Sequence, residues 1–68
     1  MVNTAEFKKA LIDADMSQRK LAKLSGISKN SLNRKINNHS DFTLKETQII
    51  CKCLNITDAE TKCLIFLG

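Results

Sequence analysis

Between Ser17 and Asn38 the chain reads SQRKLAKLSGISKNSLNRKINN, with six basic side chains and no acidic one. Within it Lys29, Asn30, Asn33 and Arg34 recur at spacings of one, three and four residues, which puts them on one side of a helix. Carboxamides donate and accept hydrogen bonds, while ammonium and guanidinium groups donate to anions. The chemistry open to this row is therefore recognition of a polar, negatively charged surface. Bond-making chemistry has weaker candidates. Cys51, Cys53 and Cys63 are odd in number and lie in helical segments, where Cys51 and Cys53 point to different faces, so a disulfide framework does not fit. His39 is the one further soft ligand, too few for a zinc site, and the cysteines are read as small buried hydrophobes. No metal or other cofactor is expected. No acid/base pair converges and no nucleophile has a base at hand, so an enzyme is not expected either.

Charge is distributed unevenly. Residues 16–40 hold Arg19, Lys20, Lys23, Lys29, Arg34 and Lys35 against no acid, a local charge of +6; the rest hold five basic and seven acidic groups, or −2, which together give the net +4. A merely solvated basic face would be interleaved with acids as i,i+4 pairs. A focused, unpartnered one points to an external polyanion, and nucleic acid is the first to consider.

The elements that carry these residues follow from caps and periodicity. At 68 residues and 43% hydrophobic, the chain is expected to be one all-α domain, 1–68, with a compact core. Its N-terminus MVNTAEFKK has no apolar stretch of the signal-peptide kind and no run is long enough to span a bilayer, so a cytoplasmic location without membrane association is expected. Asn3 with Glu6, Thr43 with Glu46 and Thr57 with Glu60 have the spacing of capping boxes, and Ser17 and Ser28 are plain N-caps. Five short helices follow, at about 4–14, 18–25, 29–37, 44–54 and 58–67. Their inner faces are expected to carry Phe7, Leu11 and Ala14; Leu21, Ala22, Leu24 and Ser25; Leu32 and Ile36; and Leu44, Ile50, Cys51 and Leu54. The fifth, ending Cys63-Leu64-Ile65-Phe66-Leu67, is apolar all round. The two helices opened by serine have no acid in the first turn, which leaves their N-terminal N–H groups to an anion.

Across the middle pair, Ala22 lets the backbones approach, Gly26 supplies a left-handed turn, Ile27 enters the core, Ser28 caps the next helix and Leu32 buries its inner side. Lys29, Asn30, Asn33, Arg34 and Asn37 are left outside, a helix-turn-helix with a polar outer row. At Gln18, Leu21, Ala22, Gly26, Ile27, Ser28, Leu32 and Asn37 the sequence resembles the phage repressor and Cro-like helix-turn-helix family, the lambda-repressor-like class of XRE-type regulators. The resemblance covers essentially the whole chain and implies a compact five-helix domain in which helices 2 and 3 form the helix-turn-helix. It implies that Gln18 contacts a phosphate and braces the recognition helix, and that Lys29, Asn30 and Asn33 reach base edges. Where many members have Glu followed by Asn-Gly, this chain has Lys35, Ile36, Asn37 and Asn38, so Asn38 must take any left-handed turn at that point.

Base-reading residues are accordingly expected at Lys29, Asn30, Asn33 and Arg34, since Asn matches the N7/N6 edge of adenine and Lys the O6/N7 edge of guanine. Phosphate contacts are expected from Ser17, Gln18, Arg19, Lys20, Ser28, Ser31, Lys35, Asn38, His39 and Ser40. The partner is a double-stranded DNA operator. The expected function is sequence-specific transcriptional regulation, of the phage or prophage Cro-type repressor kind, by operator occupancy. An antitoxin or restriction-system control protein of the same fold, or a small protein–protein adaptor, are the alternatives. The apolar end predicts a weak homodimer, strengthened on DNA, with Leu64, Phe66 and Leu67 at its interface.

Overall fold

Each helix of the chain starts where a short polar side chain can accept a backbone N–H. The computed structural model describes residues 2–66, and among them are α1 (Thr4–Asp13), α2 (Gln18–Ser25), α3 (Lys29–Ile36), α4 (Leu44–Cys53) and α5 (Ala59–Phe66). Asn3 accepts from the Glu6 N–H at 3.2 Å, Ser17 from Lys20 at 3.1 Å and Ser28 from Ser31 at 3.2 Å. Thr43 and Glu46 close a full capping box, with N–H to side-chain distances of 3.1 and 2.9 Å. The fifth start differs from expectation. Asp58, not Thr57, accepts from the Thr61 N–H at 2.8 Å, and also from the Thr61 hydroxyl. A carboxylate that collects both donors is a stronger acceptor than the threonine before it, so α5 begins one residue later.

The helix ends share one device. Ala14, Asn37 and Leu54 are C-caps, and the residues after them, Asp15, Asn38 and Asn55, have φ of 52°, 64° and 58°. In each case the next N–H reaches five residues back: Met16 to Leu11 at 2.9 Å, His39 to Arg34 at 2.8 Å and Ile56 to Cys51 at 2.8 Å. These are Schellman closures, which usually take glycine at the left-handed position. Among the described residues glycine serves only at the end of α2, where Gly26 has φ 76° and its N–H bonds Ala22 at 3.1 Å. Nothing lies within 4 Å of where its Cβ would be, so the need for glycine is conformational and not steric.

α2 packs against both α3 and α4, and α1 against α5. Phe7, Leu21, Leu32, Ile36, Ile50 and Ile65 are fully buried, so all five helices contribute to one core. Phe7, Phe42 and Phe66 form an aromatic triangle with centroids 5.8–6.0 Å apart, one pair stacked and two edge-to-face. Two expected core residues lie outside it. Leu24 is 54% exposed, because the buried arc of α2 centres on Leu21 and Ala22; Leu44, in the first turn of α4, is 76% exposed. Of the cysteines only Cys51 is buried, where desolvation raises its thiol pKa; Cys53 is half-buried and Cys63 exposed. No helix among the described residues is long and apolar enough to cross a membrane.

The extended N-terminal residues hold the end of α3. Val2 is buried, and its N–H and C=O both bond the Asn38 carboxamide, at 2.8 and 2.9 Å. The Thr4 hydroxyl donates to the Ile36 carbonyl at 2.7 Å, and the Asn3 N–H to Ile65 at 2.7 Å. The Ile36 carbonyl, an orphan at the C-terminus of α3, is thus satisfied by a residue thirty-two positions away in sequence.

Candidate nucleic-acid interface

α3 is a polar helix with one apolar edge. Leu32 and Ile36 are fully buried, and Lys29, Asn30, Asn33, Arg34 and Asn37 are all exposed. At about 100° per residue, Asn30, Asn33, Arg34 and Asn37 fall within an arc of about 100°, with Lys29 at its edge. The row that spacing put together is therefore together in the fold. Asn33 and Asn37 are also joined directly: Asn37 Nδ2 donates to the Asn33 carbonyl at 2.9 Å and to its Oδ1 at 3.2 Å.

α2 precedes it across a tight turn built from Ser25, Gly26 and Ile27. The Ser25 hydroxyl donates to the Ala22 carbonyl at 3.3 Å and accepts from the Ile27 N–H at 3.4 Å, while Ile27 is buried. Sequence reasoning assigned Ser25 to the packed face and missed this bridging role. Arg19, Lys20 and Lys23 are exposed along α2, and Gln18 is half-buried at its start. The first turns of α2 and α3 carry no acid, whereas those of α1, α4 and α5 carry Glu6, Glu46 and Glu60. Each serine cap satisfies one N–H, and the N–H groups before it remain oriented outward at the positive end of the helix dipole.

Two of the residues expected to contact phosphate are committed elsewhere. Lys35 Nζ lies 2.7 Å from both carboxylate oxygens of Glu46 and 6.0 Å from the centre of the Phe42 ring. It is the one salt bridge among the described residues, and it is half-buried. Hydrogen bonding to Lys35 first, and to the Thr43 N–H second, holds the Glu46 carboxyl below the ordinary glutamate range. Asn38 has the left-handed conformation expected of it, but its carboxamide is spent on Val2. Both bonds have one cause: the end of α3 is where α4 and the N-terminal segment are joined to it. Ser31 and Ser40 are half-buried, and His39 is exposed in the loop after α3.

The fifth helix differs from expectation as well. Phe66 is 9% exposed and belongs to the aromatic triangle, so it is core and not an interface residue; Leu64 is 52% exposed, and Leu67 lies outside the described residues. Among the described residues of α5 only Ile65 and Phe66 are buried.

Five helices, a left-handed glycine turn between α2 and α3, and an exposed polar row on α3 define a helix-turn-helix DNA-binding protein. A family model described as the Cro/C1-type HTH DNA-binding domain matches residues 6–60, and the chain belongs to that family. No curated protein and no solved structure matches the chain significantly.

Proposed function

We propose that the chain is a sequence-specific, Cro-type repressor that acts in the cytoplasm by occupying an operator in duplex DNA. The observation that supports this most is the outer row of α3, where Lys29, Asn30, Asn33 and Arg34 stand exposed beside two helix starts without a carboxylate. Base edges are read by Lys29, Asn30, Asn33 and Arg34; phosphates are held by Ser17, Gln18, Arg19, Lys20, Ser28, Ser31, His39 and Ser40. The role of Lys35 and Asn38 is to hold α3 in place. The regulator works by occupying the operator and excluding polymerase.

Two copies engage the operator as a weak homodimer that DNA strengthens. Supporting it is an apolar groove of about 530 Å³ between α4 and α5, whose exposed lining includes Leu44 and Cys63 together with Asp41 and Lys62. Opposite charges on one surface are self-complementary under a two-fold axis, which sets Asp41 of each copy against Lys62 of the other. A single helix-turn-helix reads few base pairs, so paired half-sites about 34 Å apart add affinity and specificity together. Selection of bound duplexes from a random pool tests the whole reading. A palindromic site supports it; recovery of no preferred sequence contradicts it.

A further inference from the structure

We infer that Thr4 is a positioning residue for DNA reading, a role that rests on the reading of α3 as the element that faces base pairs. Its hydroxyl sets the last turn of α3 and, with it, the base pairs that Asn33 and Arg34 face. The two ends of this helix are held by different means. Its start is tied to α2 through a short turn in which Ile27 is buried and the Ser25 hydroxyl bridges Ala22 and Ile27. Its end runs into residues 37–43, which form no helix, so the chain gives the last turn no comparable hold. Leu32 and Ile36 are fully buried along the inner edge, but apolar packing is non-directional and fixes depth more than orientation. A hydrogen bond to a backbone carbonyl does have direction.

Four carbonyls close the helix. Those of Asn33, Arg34 and Lys35 accept the backbone N–H groups of Asn37, His39 and Asn38, at 3.1, 2.8 and 3.2 Å, and these partners move with the helix that they close. The Ile36 carbonyl is bonded from elsewhere in the fold, by the Thr4 hydroxyl at 2.7 Å. Thr4 opens α1, whose Phe7 and Leu11 are buried, so the donor stands on a fixed part of the molecule. It is itself half-buried, which limits competition from water. The Asn38 carboxamide ties Val2 two residues beyond Ile36, outside the helix, so it limits the travel of that end without fixing the last turn. Asn33 and Arg34 lie within one turn of Ile36, whereas Lys29 and Asn30 lie about 9–11 Å from it along the axis, beside the turn from α2. Loss of the Thr4 hydroxyl therefore frees the Asn33 and Arg34 end of the reading row and leaves the Lys29 and Asn30 end where α2 holds it.

The test is selection from a random duplex pool with wild type, followed by fluorescence anisotropy on duplexes that differ at one base pair. Asn33→Ala, Arg34→Ala, Lys29→Ala and Asn30→Ala mark the pair that each side chain faces, by losing preference there. Thr4→Val keeps the branched shape and removes the donor. It is expected to lose about tenfold in preference at the pairs marked by Asn33→Ala and Arg34→Ala, the scale of one good base contact, and to keep wild-type preference at those marked by Lys29→Ala and Asn30→Ala. Thr4→Ser restores the hydroxyl and is expected to behave as wild type. Circular dichroism melts set a temperature at which every protein compared is folded, and Thr4→Ala, with a residue favoured in helices, takes the place of Thr4→Val if valine unfolds the chain. An unchanged preference, an equal loss at all pairs, which is what general destabilisation produces, or a Thr4→Ser that loses preference like Thr4→Val each overturns the inference. If neither Asn33→Ala nor Arg34→Ala relaxes a pair while Lys29→Ala does, the last turn reads nothing and the inference fails with the DNA reading intact. If wild type selects no duplex sequence, the underlying reading fails.

Discussion

The carboxamide of Asn38 closes on the backbone of Val2 from both sides, its Oδ1 accepting the Val2 N–H at 2.8 Å and its Nδ2 donating to the Val2 carbonyl at 2.9 Å. The residue that follows α3 in a left-handed turn is also the clamp for Val2. Local conformation and long-range bonding therefore pull in opposite directions when it is replaced.

That opposition gives a stability contrast. Asn55→Gly relieves a left-handed φ of 58° and is expected to stabilise the protein by about 0.5–1 kcal/mol. Asn38→Gly relieves a similar φ of 64° but forfeits two hydrogen bonds to Val2, and is expected to destabilise by about 1 kcal/mol. Urea unfolding of both variants, read as midpoints at constant slope, checks the signs; equal stabilisation contradicts the clamp.

The same two residues show what a sequence can display. Helix starts were legible at Asn3, Ser17, Ser28 and Thr43 because a cap and its N–H are three residues apart. The turn through Gly26 and the outer row of α3 were legible for the same reason, being set by spacing within one helix pair. Bonds across the fold were not. Lys35 was one cation in a basic run until Glu46, eleven positions on, proved to hold it, and nothing local joins Val2 to Asn38 or Thr4 to Ile36. The apolar C-terminal run gave no periodicity to separate the buried Phe66 from the exposed Leu64.

Glu46 predicts a pH dependence. Its folded pKa is below the ordinary value, so its contribution is fully present above the unfolded pKa and disappears as pH falls through the folded one. Glu46→Gln keeps an acceptor for the Thr43 N–H but loses the charge facing Lys35, and is expected to cost up to about 1 kcal/mol at neutral pH. The difference from wild type should shrink as pH falls below the ordinary glutamate range and vanish once the folded carboxylate is protonated. Denaturation midpoints across that range decide it, and a gap that persists in acid contradicts the ion-pair account.

Lys35 and its neighbour Arg34 should separate in DNA binding. Arg34→Ala is expected to reduce the slope of log affinity against log salt by about one, the loss of one displaced counterion, while Lys35→Ala lowers stability and leaves that slope nearly unchanged. Anisotropy at four or five salt concentrations distinguishes them. Equal slope changes mean that Lys35 leaves Glu46 for phosphate on binding.

The aromatic triangle and the exposed leucines should also differ. Phe66→Ala is expected to cost about 3–5 kcal/mol, enough to unfold a domain of this size. Leu44→Asp, at 76% exposure, is expected to stay within about 0.5 kcal/mol of wild type but to weaken dimerisation on operator DNA. Sedimentation with and without the selected duplex reads the association, and a Leu44→Asp variant that dimerises like wild type moves the interface elsewhere.

Base contacts specify and phosphate contacts position, so the two helices should respond differently. Lys29→Ala and Asn30→Ala are expected to relax preference at particular base pairs, by about 1–3 kcal/mol each, whereas Gln18→Ala and Lys20→Ala weaken every sequence alike. Repeating the selection with each variant reads the pattern; uniform losses for Lys29 and Asn30 displace the reading row.

The central claim, that the outer row of α3 reads duplex DNA, is tested most directly by anisotropy titration of wild type against its selected duplex and a scrambled duplex of the same length and composition over a salt series. The account predicts that the selected duplex binds at least about a thousandfold tighter near physiological salt, and that both affinities fall steeply as salt rises. Equal affinity for the two duplexes, or a response flat in salt, contradicts it.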